Sequence, residues 1–185
     1  MRVFVAHGVD GFEWIMPVEE HDFQSVYELD GSSMVASWRP VRVRALDRLH
    51  DGGPILRQAD LPWLGEHALV LRSSAYRAIG PALADVGEFL ALDLVGSEDR
   101  LRLFNVRRTI DALDEGSSDI VRFPSTGRVM KIRRHEFREE ALTGEGAFRV
   151  PEVRTLFFTE KIVRAVDAAG LSGTEFDMVW EGLSR

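Results

Sequence analysis

The 185-residue chain contains no cysteine, so disulfide staples and thiolate nucleophiles are excluded, which fits a reducing cytoplasm. Lysine is nearly absent as well. Of 23 basic residues only Lys131 and Lys161 are lysine; the bias towards arginine matches a GC-rich coding sequence and carries no functional weight. No apolar run approaches the roughly 20 residues of a membrane-spanning helix. The opening Met1–Gly8 has one basic residue and a short apolar run, too little for a signal sequence, and reads as a first strand. No G-x-S-x-G elbow, Walker A loop or dinucleotide fingerprint occurs, so those enzyme classes gain no support. The five histidines, His7, His21, His50, His67 and His135, lack zincin or zinc-finger spacing. They read as surface or satisfied core residues, and no metal or cofactor is expected.

The hydrophobic content is 45% and the charged content 29%, an ordinary globular balance that argues against long disorder. At this length about two-thirds of the unfolded surface can be buried, so one domain over residues 1–185 is the default and no staple is needed. The formal charge of −7 disfavours a general nucleic-acid binder, because phosphate contacts need clustered positive charge, and it suits basic partners.

Residues 155 to 180 organise the rest: a buried strand, a short helix and a second strand. Ile162, Val163, Val166 and Ala169 form one apolar helical stripe, with Thr159 as its N-cap. Gly170 ends the helix in a left-handed conformation and sets Leu171 against Val166. Phe176, Met178 and Trp180 then alternate with Glu175, Asp177 and Glu181, the period of a strand with one wet face. A parallel strand pair flanking this helix, with a right-handed crossover, is expected.

Elsewhere the pattern is mostly that of strands. Residues 17 to 33 read as a loop with one short element. Val41 and Val43 oppose Arg42 and Arg44, either a basic strand face or, the favoured reading, a solvated edge. Ala68–Leu71 is a short apolar run, followed by a helix capped by Ser73 or Ser74. Pro81 should kink that helix or split it at Gly80-Pro81. Leu90, Leu92 and Leu94, the turn at Gly96–Asp99, and Leu101 and Leu103 predict a hairpin with its leucines inward. Thr109–Glu115 reads as one or two helical turns closed by Gly116. A second hairpin turns at Pro124–Gly127, and its return strand ends in Arg133, Arg134, His135 and Glu136, expected to run out into solvent. Thr143–Gly146 is a loop. The fold class is α+β: mostly antiparallel sheets, two or three short helices packed on them, and the C-terminal strand-helix-strand unit.

The densest charge feature is Asp111, Asp114, Glu115 and Asp119. It lacks partners for acid–base or metal chemistry; a solvated helix face is the bland reading and a docking patch for a basic protein the sharp one. Trp63 has the same two fates, buried residue or interface anchor.

Asp60-Leu61-Pro62-Trp63, Leu69–Ser73, Gly87–Leu90, Asn105-Val106 and Asp111–Asp114 resemble the central pattern of a bacterial immunity-protein family. Leu156–Thr159, Ala168–Gly173 and Phe176 resemble its C-terminal signature. This is the eleventh immunity group of polymorphic-toxin systems, formerly a domain of unknown function, described from a myxobacterial example. The similarity spans residues 60 to 180, and residues 1–59 match loosely. It implies a cytoplasmic, non-enzymatic domain that neutralises a cognate toxin, encoded nearby, by occlusion. A basic toxin such as a nuclease is compatible with the acidic balance, and neither nucleic acid nor membrane is an expected partner. The rival readings are an enzyme that reverses a toxin's modification and a small-ligand-binding or homo-oligomeric domain.

Overall fold

Two sheets enclose a layer of helices, and each sheet carries a further core on its outer face. The computed structural model describes residues 1–144 and 146–182. The elements begin with β1 (Arg2–Gly8), β2 (Trp14–Pro17), α1 (Glu20–Tyr27) and β3 (Val41–Leu46). Then come β4 (Leu69–Leu71), α2 (Ser73–Leu83), β5 (Gly87–Leu94) and β6 (Arg100–Val106). After these follow β7 (Asp119–Arg122), β8 (Val129–Arg134), a 3-10 turn at Glu139–Ala141 and β9 (Ala147–Phe148). The chain closes with β10 (Phe157–Thr159), α3 (Glu160–Ala169) and β11 (Thr174–Glu181). The class is α+β, and every strand pair is antiparallel except β3 with β5.

One sheet has the order β2-β3-β5-β6-β4 and the other β11-β1-β10-β9, while β7 and β8 pair with each other alone. Between the large sheets, α2 and α3 pack together, α2 on β4 and β6 and α3 on β1 and β10. Leu71, Ile79, Leu83, Phe104, Phe158 and Ile162 fill this central core. The period of two then assigns alternate residues to the outer faces. Leu90, Leu92, Leu94, Leu101 and Leu103 meet Val41, Val43 and Val26 of α1 in a second core. Val3, Phe148 and Phe157 meet Ala112, Leu113 and Phe137 in a third. Each fully buried leucine contributes about 2 kcal/mol, so the alternating leucines of β5 and β6 hold that hairpin in register.

The C-terminal unit forms as its pattern predicts, with one correction. Gly170 is left-handed at φ 59°, and Leu171 donates its N–H to the Val166 carbonyl at 3.2 Å, closing the helix. The strands flanking α3 run in the same direction but do not pair, because β1 lies between them and is antiparallel to both. Nor does the simple alternation persist along β11. Val3 pairs with Trp180 and Phe4 with Met178, so Val179 is an extra residue that shifts the alternation. Met178 is consequently 53% exposed, not inward.

Several local expectations are overturned by tertiary hydrogen bonds. Thr159 occupies the N-cap of α3, but its hydroxyl accepts the Gly146 N–H at 2.8 Å and makes no cap bond. Ser73 and Ser74 lie inside α2, whose N-cap is Arg72, and the Ser74 hydroxyl goes to Asp60. Pro81 does not split α2, which is continuous to Leu83; so close to the helix end, the proline removes only one late backbone bond. Strand β3 is no edge: it lies between β2 and β5, with Arg42 and Arg44 exposed on the face opposite Val41 and Val43. Thr109–Asp114 is extended, not helical, and Glu115 opens a turn closed by the Ser118 N–H on Asp114 O at 2.9 Å. Ile110 donates to Arg149 O and Asp114 to Glu136 O, both at 2.8 Å, so isolated bridges to distant segments use the bonds a helix would need. The chain after Arg134 does not run out into solvent. His135 packs its ring on Phe137 and Phe157, and Phe137 is buried. Of the loop at 143–146, Glu145 lies outside the described residues.

Candidate functional site

The hairpin β7–β8 is irregular in a way that shapes a surface. Asp119 pairs with Arg134, Ile120 with Ile132, Val121 with Lys131 and Arg122 with Val129. Arg133 and Met130 are therefore extra residues on β8, and each bulge re-aims a side chain. Ile120 and Ile132 anchor the hairpin on the third core. Met130 and Phe123 stay 50% and 45% exposed.

Facing β8 is the irregular segment 149–155, held by bonds to three other parts of the chain. Arg149 N–H donates to Arg108 O at 2.8 Å and its Nε to Val106 O at 3.0 Å. Arg154 donates to Tyr27 O at 2.9 Å and lies over the Tyr27 ring. Leu156 N–H reaches Glu66 O at 2.9 Å. Between the two walls lies a groove of two adjoining clefts, about 700 and 640 Å³, that share Glu66, Met130, Val153 and Thr155.

The electrostatics of this groove come from burial among arginines. Arg149 is only 5% exposed, and its Nη2 is buried without a hydrogen-bond partner. Burial, then Arg154, lowers its pKa to about 10, so it stays charged at neutral pH. Desolvation, with Arg149 and Arg154 adding repulsion, pushes the His67 imidazole down to about 4. Its ring sits edge-on to Tyr27 at 5.2 Å. Burial raises the pKa of Glu152, whose Oε2 also lacks a partner. The groove thus holds an unanswered donor and an unanswered acceptor.

His67 makes stability pH-dependent. Its folded pKa lies below the ordinary value of 6.5, so the unfolded chain takes up a proton first as pH falls. The stabilisation is complete above pH 6.5 and is lost between there and about 4. His67→Gln should therefore flatten the fall of the urea midpoint between pH 7 and pH 5, and an unchanged slope would remove His67 as its source.

The acidic residues singled out from sequence do not form a bare patch. Asp111 is exposed and pairs with Arg138 at 2.5 Å. Asp114 accepts the N–H groups of Gly116 at 3.1 Å and Ser117 at 3.2 Å, and Ser117 first, then Gly116, holds its pKa below the usual range. Glu115 pairs with Arg122 and lines the groove. Asp119 is exposed at the start of β7, opposite Arg134. Trp63 is half-buried against the central core and bridges Trp14, away from the residues lining the groove. Sequence reasoning missed Arg149, Arg154 and the β8 wall. The available signal was the run from Arg128 to Arg134, with four basic residues in seven positions.

Among the described residues no helix is long and apolar enough to cross a membrane, and no three His, Asp or Glu side chains converge as a metal site. Fold and groove together define an α+β protein with a charged groove beside an irregular hairpin. Residues 95–181, which run from the turn between β5 and β6 to the end of β11, match the model of the Immunity protein family (Imm11). That match agrees with the resemblance seen in the sequence and points to a role in toxin immunity. No curated protein matches the chain.

Proposed function

We propose that this protein binds a cognate toxin, encoded nearby, and neutralises it by covering the toxin's active site, without catalysis of its own. The family match over residues 95–181 carries the reading. That segment holds the whole β7–β8 hairpin and the facing wall of the groove, which supports this face as the contact surface. Of the acidic residues, Glu115 and Asp119 belong to the proposed surface and Asp111 and Asp114 border it; Trp63 contributes packing. The cysteine-free sequence supports action in the cytoplasm. A stable complex buries about 1,200 Å² or more, centred on a few arginine or aromatic anchors. Arg128, Met130 and Phe123 are suited to that part.

Calorimetric titration of the neighbouring gene's product tests the proposal. A one-to-one complex, with toxicity silenced only when the protein is at least equimolar, is the expected result. Protection at far below one equivalent would establish an enzyme that reverses the toxin's modification. Absence of binding would sink the immunity reading.

A further inference from the structure

We propose that the groove between β8 and residues 149–155 receives an extended, acidic segment of the toxin, whose carboxylates pair with Arg128, Lys131 and Arg133. The inference rests on the immunity reading and specifies the chemistry of the partner's contact segment. Charge carries it. The chain as a whole is at −7, yet seven groove-lining residues are arginine or lysine and four are carboxylates. One of those carboxylates, Glu115, is already taken by Arg122. Among the described residues, Arg128, Lys131 and Arg133 have no ion-pair partner. An acidic protein with a local cationic wall repels most polyanions at long range and selects at short range.

Shape supports an extended occupant. The six residues of β8 span about 20 Å, the length of roughly six extended residues of a partner chain. The bulges at Arg133 and Met130 spoil the β8 edge for regular strand addition, so recognition runs through side chains. The exposed Met130 and Met178 both line the groove and offer adaptable apolar contact between the charges. Deeper in, the unpartnered Arg149 Nη2 can be met by a carboxylate that reaches it. Single-stranded nucleic acid fits less well, because a charge at every nucleotide brings phosphates against Asp30, Glu66 and Glu152, which also line the groove, whereas a peptide can set neutral residues opposite them.

The test uses the full chain and a fluorescent peptide of about eight residues alternating glutamate and valine, long enough to cover β8. Its lysine–valine counterpart and an oligothymidylate of similar length are the comparison probes. Arg128→Glu/Lys131→Glu/Arg133→Glu removes the wall, and Arg42→Glu/Arg44→Glu, on the exposed face of β3, is the charge-reversal control away from the groove. The acidic peptide should bind, weaken with salt, and lose about tenfold or more affinity in the triple variant while the control pair keeps it within about twofold. If the triple variant melts early, Arg128→Gln/Lys131→Gln/Arg133→Gln replaces it. Equal binding of the lysine peptide, tighter binding of the oligothymidylate, or indifference to the triple change overturns the proposal. Full toxin neutralisation by the triple variant overturns the groove while leaving the immunity reading intact. Failure of the unaltered protein to neutralise the toxin overturns that reading, and the toxin as occupant with it, even where the acidic peptide binds.

Discussion

Gly173→Ala is expected to destabilise the protein by about 3 kcal/mol or more, far beyond the usual effect of adding a methyl group. Gly173 has φ 99°, and a Cβ there would lie 2.3 Å from Ala59 Cβ and 2.7 Å from the Leu61 carbonyl oxygen. Neither obstacle is the end of a flexible side chain. The surrounding backbone is pinned by bonds from Leu61 N–H to Ser172 O and from the Thr174 hydroxyl to Leu61 O, each 2.9 Å. Gly170→Ala is the natural comparison. Its φ of 59° is left-handed too, but no atom lies within 4 Å of the added Cβ, so only backbone strain of about 1 to 2 kcal/mol applies. Gly170→Val costs more, because a β-branched residue tolerates that conformation poorly. Urea midpoints would separate the cases, and equal losses for the two alanine variants would refute the close contact at Gly173.

Glu13→Ala should cost about 3 to 5 kcal/mol. Arg72 and Glu13 are both buried, and Glu13 Oε1 receives Arg72 Nη2 at 2.6 Å and Ala59 N–H at 3.0 Å. Arg72 Nε also donates to Ala59 O at 2.9 Å, and Nη1 pairs with the more exposed Asp99. Truncating Glu13 removes one of the two carboxylates that answer the buried guanidinium and leaves Arg72 Nη2 and Ala59 N–H without their acceptor, which costs more than the pair contributes when intact. The double variant Glu13→Leu/Arg72→Met removes both charges and should recover most of that loss. A double variant whose loss equals the sum of the two single losses would show that the residues do not act as a pair.

Much of the fold was legible because periodicity and turn chemistry are local. The leucines of β5 and β6 advertise a hairpin, and Gly170 with Leu171 advertises a helix end. The errors share one cause. Thr159, Ser73 and Ser74 have cap chemistry, but Gly146 and Asp60, distant in sequence, claim two of the three hydroxyls. Thr109–Glu115 has helical spacing, but strand-like bonds to Arg149 and Glu136 satisfy its backbone first. For the candidate site, Glu115 was singled out while its partner Arg122 was not, since an acidic cluster is visible as a run and an ion pair closed by a hairpin is not.

The sequence by itself determined the class of fold, the C-terminal unit, both hairpins and the family resemblance, because these depend on spacing, turns and apolar alternation within short stretches. Only the tertiary structure decided that β1 separates β10 from β11, that Asp111 and Glu115 are answered by arginines and Asp114 by backbone N–H groups, and that β8 faces residues 149–155 across a groove. Those outcomes rest on contacts between segments far apart in the chain. Hydrogen-bond partners and charge neighbours are settled by where the three cores place the strands, and no local pattern records that placement.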